Sequence, residues 1–352
     1  MLTDSAQTVI VLMFSVLVIT DIVGNTLVCI VMIKNQDMRT PINYLLVNLA
    51  FADIMVALFI APQFVLIHTF QHPDGIVGSF LCKFLTGGNL MWTGATASAF
   101  SLVAIAFERY FAVMYPYSNA GKLTHGKLKV IIPVLWISVL ILNTPLFLTS
   151  YFDKENEFCT EHWPEEWMPK AFSVAWFVLL GALPMLIMIG LYSKVIYSLW
   201  IKGEERVSGT QQGVMRVRKH VTKMVVAVSI IYGLCWTPDL VIYAMIHFGS
   251  KHSLGDAADV ISIVLVVCNS TVNPFIYAYV NSRFRKHIKA LLSCHGSGAD
   301  RNRVHAMGRG NDTSRTNSGI NASTIQGDIQ SLSRHTVTLK TIRDSVEPGD
   351  SE

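Results

Sequence analysis

The sequence predicts an all-α membrane protein: a seven-transmembrane helix bundle followed by a short amphipathic cytoplasmic eighth helix. Three observations carry that prediction. Hydrophobic residues make up 51% of the 352 and charged residues 15%, a balance too apolar for an ordinary soluble fold. Seven stretches reach the roughly 20 residues needed to cross a hydrocarbon core about 30 Å thick. The lysines and arginines between them are alternately dense and sparse, as their preference for cytoplasmic loops requires.

The first span, Val9 to Ile33, follows eight residues read as a short extracellular amino terminus. It is too long for a cleavable signal peptide and lacks a basic region before it, so it reads as its own anchor. The others run Ile42 to His68, Phe84 to Ala106, Val130 to Thr149, Ala171 to Ser193, Met224 to Ile246 and Val260 to Val280, giving a membrane domain of residues 9 to 280. Four carry no Asp, Glu, Lys or Arg; the first, second and sixth hold one acid each, Asp21, Asp53 and Asp239. One alternating set of loops carries Lys34 and Arg39, then Lys122, Lys127 and Lys129, then six bases from Lys202 to Lys223, then Arg283, Arg285, Lys286 and Lys289. The other set offers only Lys83, Lys154, Lys170 and Lys251, which puts the amino terminus outside and the carboxyl terminus inside a multi-pass plasma-membrane protein.

Residues 281 to 294 place apolar side chains on one helical face and bases on the other, the pattern of a helix lying on an anionic membrane surface. Cys294 closes that segment, either palmitoylated or unmodified. Residues 295 to 352 are poor in large apolar groups and predict a disordered cytoplasmic tail. Its serines and threonines, Ser331 to Thr341 among them, are either phosphorylation sites that recruit partners by added charge or a plain solvated tail. Cys82 and Cys159 are the only cysteines on the oxidising outer side, which predicts a disulfide over two free thiols.

Each span also carries a signature: Gly24-Asn25; Asn48-Leu49-Ala50 with Asp53; Glu108-Arg109-Tyr110; Trp136; Pro184 with Tyr192; Cys235-Trp236-Thr237-Pro238; and Asn273-Pro274-Phe275-Ile276-Tyr277. On physical grounds Asp53 costs roughly 2.5–3.5 kcal/mol to hold at mid-membrane and needs polar partners, for which Asn25, Ser98, Asn269, Ser270 and Asn273 lie at similar depth. It is either a cation site or a protonated structural acid. Asp21 reads as a helix-packing hydrogen bond. Pro62, Pro145, Pro184, Pro238 and Pro274 kink their spans, since proline removes a backbone donor. Arg109, read by itself, is an interfacial cation whose guanidinium snorkels to the headgroups.

In these motifs and their order, the chain resembles a rhodopsin-like (class A) G-protein-coupled receptor over residues 9 to 294. The resemblance implies a sodium pocket from Asp53, Ser98, Trp236, Asn269 and Asn273. It implies activation and coupling through Glu108, Arg109, Tyr110, Tyr192, Trp236, Pro238, Asn273, Pro274 and Tyr277. The implied partners are an extracellular ligand, a heterotrimeric G protein, arrestin, receptor kinases and membrane lipid, with no cofactor beyond the allosteric sodium. There are departures. Where many relatives carry an acid near the start of the sixth helix to latch Arg109, this chain has Arg216, Arg218, Lys219 and Lys223, so that latch is in doubt and basal activity is expected to be higher. Tyr232 and Ala99 stand where relatives commonly have Phe and a larger aliphatic residue.

For the ligand, the seventh span has no lysine to hold retinal, and Met91 stands where amine receptors have an aspartate. The outer loops are acidic, with Asp74, Asp153, Glu155, Glu157, Glu161, Glu165, Glu166 and Asp256, which attracts a cation. Asp239 lies one helical turn from Trp236 and shares its face with Tyr243, so it reads as a counter-ion for a ligand cation, with Asp259 at similar depth, or as a hydrogen bond to the seventh helix. Gln63, Met91, Trp92 and Trp176 either complete the pocket or belong to the core. The segment Cys159-Thr160-Glu161-His162-Trp163-Pro164 is similar to that of receptors for short amidated neuropeptides of the RFamide and neuropeptide Y type. The chain is thus read as a receptor for a short cationic peptide. The alternatives are a receptor of the same fold for a non-peptide small molecule, or a transporter, against which no internal repeat is found. No nucleophile, base or metal cluster has catalytic spacing, so no enzyme is expected. A net charge of +4, sorted by loop, gives no footprint for nucleic acid.

Overall fold

The structure is a computed structural model that describes residues 4–66, 69–116, 123–155, 158–201 and 209–293. Among the described residues seven helices are long and apolar enough to cross a membrane. They are α1 (Asp4–Lys34), α2 (Pro41–Phe64), α3 (Gly75–Met114), α4 (His125–Thr149), α5 (Trp167–Ile201), α6 (Gly209–His247) and α7 (Ala257–Val280). A further short helix, α8 (Ser282–Ser293), follows α7 after one residue. Cys294, the tail 295–352, Lys122, Glu157 and the bases Lys202 and Arg206 lie outside the described residues.

The helices run past the predicted spans. Apolar length marks the hydrocarbon core, whereas a helix continues into polar flanks until something stops it. Thus α1 starts at Asp4 instead of Val9, so most of the expected eight-residue amino terminus is helix, and α3 starts at Gly75. In the other direction α2 stops at Phe64, short of His68. The α6 helix takes in the whole basic run from Arg216 to Lys223. Termini are set by local chemistry: Pro41 opens α2, Asp256 caps α7 by accepting the Asp259 N–H at 2.8 Å, and Asn281 caps α8 by accepting from Arg283 and Phe284 N–H, each at 3.1 Å.

Burial sorts the helices. Over an 18-residue apolar stretch of each helix, 67% of residues are buried in both α3 and α7 but 22% in α4, so the first two lie inside the bundle and the last on its rim. The polar pattern is inverted relative to a soluble protein. Asp21, Asn25, Asp53, Ser98, Asn269 and Asn273 are buried, while Val9, Leu12, Val16, Ile19 and Val23 of α1 are exposed on the outer face, where lipid tails satisfy them. Close helix contact has a sequence cause at Gly24: a Cβ there would meet the Pro274 ring at 2.9 Å, so α1 packs against the α7 kink only without a side chain.

Proline lies inside α2, α4, α5, α6 and α7, with Pro133 of α4 joining the five expected positions. The loop after α4 folds into a hairpin that the sequence did not announce. Its strands β1 (Ser150–Asp153) and β2 (Phe158–Glu161) pair antiparallel, with Phe152 opposite Cys159. The Cys82–Cys159 disulfide ties β2 to α3 across 77 residues of sequence, as the outer-cysteine argument expected.

Candidate functional site

At the disulfide end, β2 delivers Glu161 into the bundle. Its carboxylate accepts hydrogen bonds from Trp163 Nε1 at 2.8 Å and from the Tyr243 hydroxyl of α6 at 3.2 and 3.3 Å. His247, one turn beyond Tyr243 and edge-on to its ring at 4.6 Å, places Nε2 3.8 Å from the same carboxylate. Burial pushes the Glu161 carboxyl above the ordinary glutamate range; the two hydrogen bonds pull it back down and the Asp259 carboxylate adds to the rise. Asp239 accepts from Ser262 Oγ of α7 at 3.2 Å, the hydrogen bond between sixth and seventh helices weighed above. Asp259 accepts the Gly255 N–H at 2.8 Å.

These three carboxylates line one cavity, together with Gln63, Trp92, Trp176 and Tyr243. Among the described residues no lysine or arginine lines it. Trp92 lines its floor and stands edge-on to Trp176 at 6.4 Å and to Trp236 at 6.3 Å, so this one ring links the cavity to the residue two positions before Pro238. Gln63 Oε1 is buried without a hydrogen-bond partner. Beside it Gly88 has φ +76°, and a Cβ there would press on that oxygen, so the chain stays thin at the two-residue interruption of α3, Gly87–Gly88, before its helix resumes at Asn89.

Met91, read as a pocket residue, does not line this cavity; it is wholly buried in the core, one position from Trp92 and so rotated about 100° away. The acidic vestibule is also narrower than the loop composition suggested. Asp74 pairs with Lys154, Asp256 bonds His252 at 2.9 Å, and Glu165 and Glu166 face outward. Sequence reasoning passed over Asn89, Ser150 and Phe172 of the lining, and His247 beside it. His247 was detectable, since it follows Tyr243 by one helical turn, and so was Phe172, one turn before Trp176; Ser150 depends on the fold of the hairpin, and Asn89 on how α3 packs beside it.

Deeper in the bundle Asp53 accepts from Ser98 Oγ and from Asn273 Nδ2, both at 2.8 Å. Asn269 Oδ1 and Asn273 Oδ1 are buried with no donor. Asn25, grouped with Asp53 above, is instead engaged by Asp21: its Nδ2 donates to Asp21 Oδ1 at 2.7 Å. Thr271 of α7 donates to the other oxygen of Asp21 at 3.4 Å, so Asp21 is a hydrogen bond between α1 and α7. Trp236 sits nearer the outer cavity, stacked obliquely on Tyr232 at 5.5 Å.

At the opposite end Arg109 and Glu108 are both 9% exposed and paired to each other. Tyr192 accepts from Ser229 at 3.5 Å, and the Tyr277 hydroxyl is buried without a partner. Tyr110 lies under Lys194, whose ammonium is 5.9 Å from the ring. No acid of α6 approaches Arg109 among the described ion pairs. The α6 bases turn instead to α5: Lys219 and Lys223, one turn apart, stand 5.5 and 6.0 Å from the Trp200 ring. Among the described residues one His, Cys and acid grouping comes within metal-ligand range, His72 with Cys82 and Cys159, and its two sulfurs are already bonded to each other.

The profile of the family described as 7 transmembrane receptor (rhodopsin family) matches residues 24–277. The chain is 27% identical over 307 residues to a QRFP-like peptide receptor of Branchiostoma floridae, covering 83% of this chain and 80% of that protein. It is 27% identical over 293 residues to the pyroglutamylated RF-amide peptide receptor of Mus musculus, with 77% and 67% covered. A galanin receptor 2a of Danio rerio is 28% identical over 306 residues, with 85% and 82% covered.

Proposed function

The chain belongs to the rhodopsin family of seven-transmembrane receptors, and we propose that it is a G-protein-coupled receptor for a short cationic, amidated peptide that enters the cavity below the β hairpin. The observation that carries this reading is the convergence of Glu161, Asp239 and Asp259 on a cavity that no lysine or arginine lines among the described residues. Buried carboxylates are stable when paired, and a ligand guanidinium supplies the missing partner through directional, bidentate hydrogen bonds. The aromatic floor of Trp92 and Trp176 suits a neighbouring ring. The peptide relatives named above support the ligand class.

In this reading the amino terminus and the disulfide are extracellular and the Glu108–Arg109 end is cytoplasmic, which agrees with the basic loops. The ligand cation competes with Tyr243 and Trp163 for Glu161, and with Ser262 for Asp239. Pressure on Trp92 passes to Trp236, two residues before Pro238, where α6 lacks a backbone hydrogen bond and bends easily. Asp53, Ser98 and the donor-free amide oxygens of Asn269 and Asn273 fit a sodium ion, which would hold α2, α3 and α7 together in the resting arrangement. Outward movement of α6 then opens Arg109, Tyr192 and Tyr277 to the G protein. Arrestin and receptor kinases act on the tail.

The test is nucleotide exchange on a G protein, driven by an Arg-Phe-amide peptide and by its citrulline analogue, which keeps shape and loses charge. Truncating one partner of a buried ion pair costs about 2–5 kcal/mol, so citrulline should lower potency at least roughly thirtyfold on the natural receptor. On Asp239→Asn or Glu161→Gln the gap between the two peptides should shrink. An unchanged gap on both variants removes these residues from ligand recognition.

A further inference from the structure

We propose that the cleft between α3, α4 and α5 binds one anionic glycerophospholipid from the membrane leaflet on the Arg109 side. The cleft has a volume of about 1170 Å³. That exceeds the roughly 300–1,000 Å³ of pockets for drug-sized molecules, which suits paired acyl chains better than a compact ligand. It is open because α4 and α5 splay on this side and leave α3 as the floor, where Phe107 is 41% exposed. Val134 of α4 and Leu183 and Ile187 of α5 form the walls, and nearly all of the lining is apolar.

The headgroup chemistry comes from the two walls at the Arg109 end. Lys127 of α4 lines the cleft. Across from it Lys194 of α5 stands over Tyr110, which lines the cleft too. Both lysines are exposed, and with the orientation proposed above both lie at the headgroup level of the anionic cytoplasmic leaflet. A sterol would meet the apolar walls but offer nothing to the ammonium groups, so charge complementarity selects an acidic phospholipid. The same cleft is lined by Glu108, the partner of Arg109, and by Pro184 at the α5 kink. A seated lipid therefore braces α5 against α3 beside the coupling pair, on a face of the bundle remote from the peptide cavity.

The test needs neither peptide nor G protein, so its outcome is independent of the ligand assignment. The full chain is reconstituted in nanodiscs containing phosphatidylserine and phosphatidylcholine, released gently, and the retained lipid is counted by native mass spectrometry. We expect one phosphatidylserine per chain, preferred at least tenfold over phosphatidylcholine. Val134 is 55% exposed, so Val134→Trp fills the cleft without disturbing the core and should abolish that retention at unchanged melting temperature. Lys127→Gln combined with Lys194→Gln should keep the cleft but erase the headgroup preference. Equal retention of the two lipids by the natural chain, persistence of phosphatidylserine in Val134→Trp, or its displacement by cholesterol would overturn the proposal.

Discussion

Tyr232→Phe isolates one hydroxyl in the centre of the bundle. Pro184 has no N–H to give to the carbonyl four residues before it, which is that of Leu180, at a point where the helix already widens by a π turn over Phe177–Ala182. The Tyr232 hydroxyl of α6 donates to that carbonyl, and Tyr232 is wholly buried, so no water can replace it. Phenylalanine keeps the ring against Trp236 and removes only the donor. An unsatisfied buried polar group costs about 1–3 kcal/mol in soluble proteins, while measured side-chain hydrogen bonds in membrane bundles average about 0.6 and reach about 1.7. We take about 1 kcal/mol, a factor of roughly five in the folding equilibrium. Thermal unfolding in detergent micelles should show Tyr232→Phe melting below the natural chain. The decisive comparison is a cycle with Pro184→Ala, which returns a helix donor to Leu180. In that background Tyr232→Phe should cost much less. Equal costs in the two backgrounds would refute the assignment of the hydroxyl to the orphaned carbonyl.

Further outcomes follow from the same geometry. Because Glu161 titrates above the ordinary glutamate range, potency of a cationic peptide should fall as the pH is lowered towards that raised value, while Glu161→Gln flattens the pH profile. The unliganded chain should show the opposite trend: the preference of folded Glu161 for its proton stabilises below the ordinary glutamate value and is lost as pH rises through the raised one, so a melting temperature independent of pH in that window would contradict the burial. Gly24→Leu should lower the melting temperature by an overpacking cost of about 1–3 kcal/mol, since its Cβ meets Pro274, whereas Gly190→Ala, with open space around it, should be silent. Trp200→Leu removes the ring that holds Lys219 and Lys223, and should raise ligand-free nucleotide exchange by freeing α6 from α5; an unchanged basal rate would show that the contact does not restrain α6.

The parts of the site that were legible in the sequence are those whose signal is carried within one helix. Asp239 was placed on the Trp236 and Tyr243 face by spacing alone, and it lines the cavity. Asp53 was expected to need polar partners at its depth, and Ser98 and Asn273 provide them. Asn25 has the same depth and was grouped with Asp53, yet it bonds Asp21, because depth does not specify which side of a helix an amide reaches from. Met91 lies outside the lining for a related reason: its neighbour Trp92 faces the cavity, and one helical position turns the Met91 side chain about 100° away, into the core.

The seven spans, their alternating basic loops and the outer cysteine pair were readable because bilayer thickness, charge sorting and compartment act on composition over short windows. The hairpin that turns Glu161 inward, the 52-residue separation closed by the Tyr232–Leu180 hydrogen bond, and the capture of two α6 lysines by Trp200 required the folded bundle. Periodicity reports which residues share a face. Which helix that face meets depends on packing among segments far apart in the chain, and there the partners of Glu161, Leu180 and Trp200 are chosen.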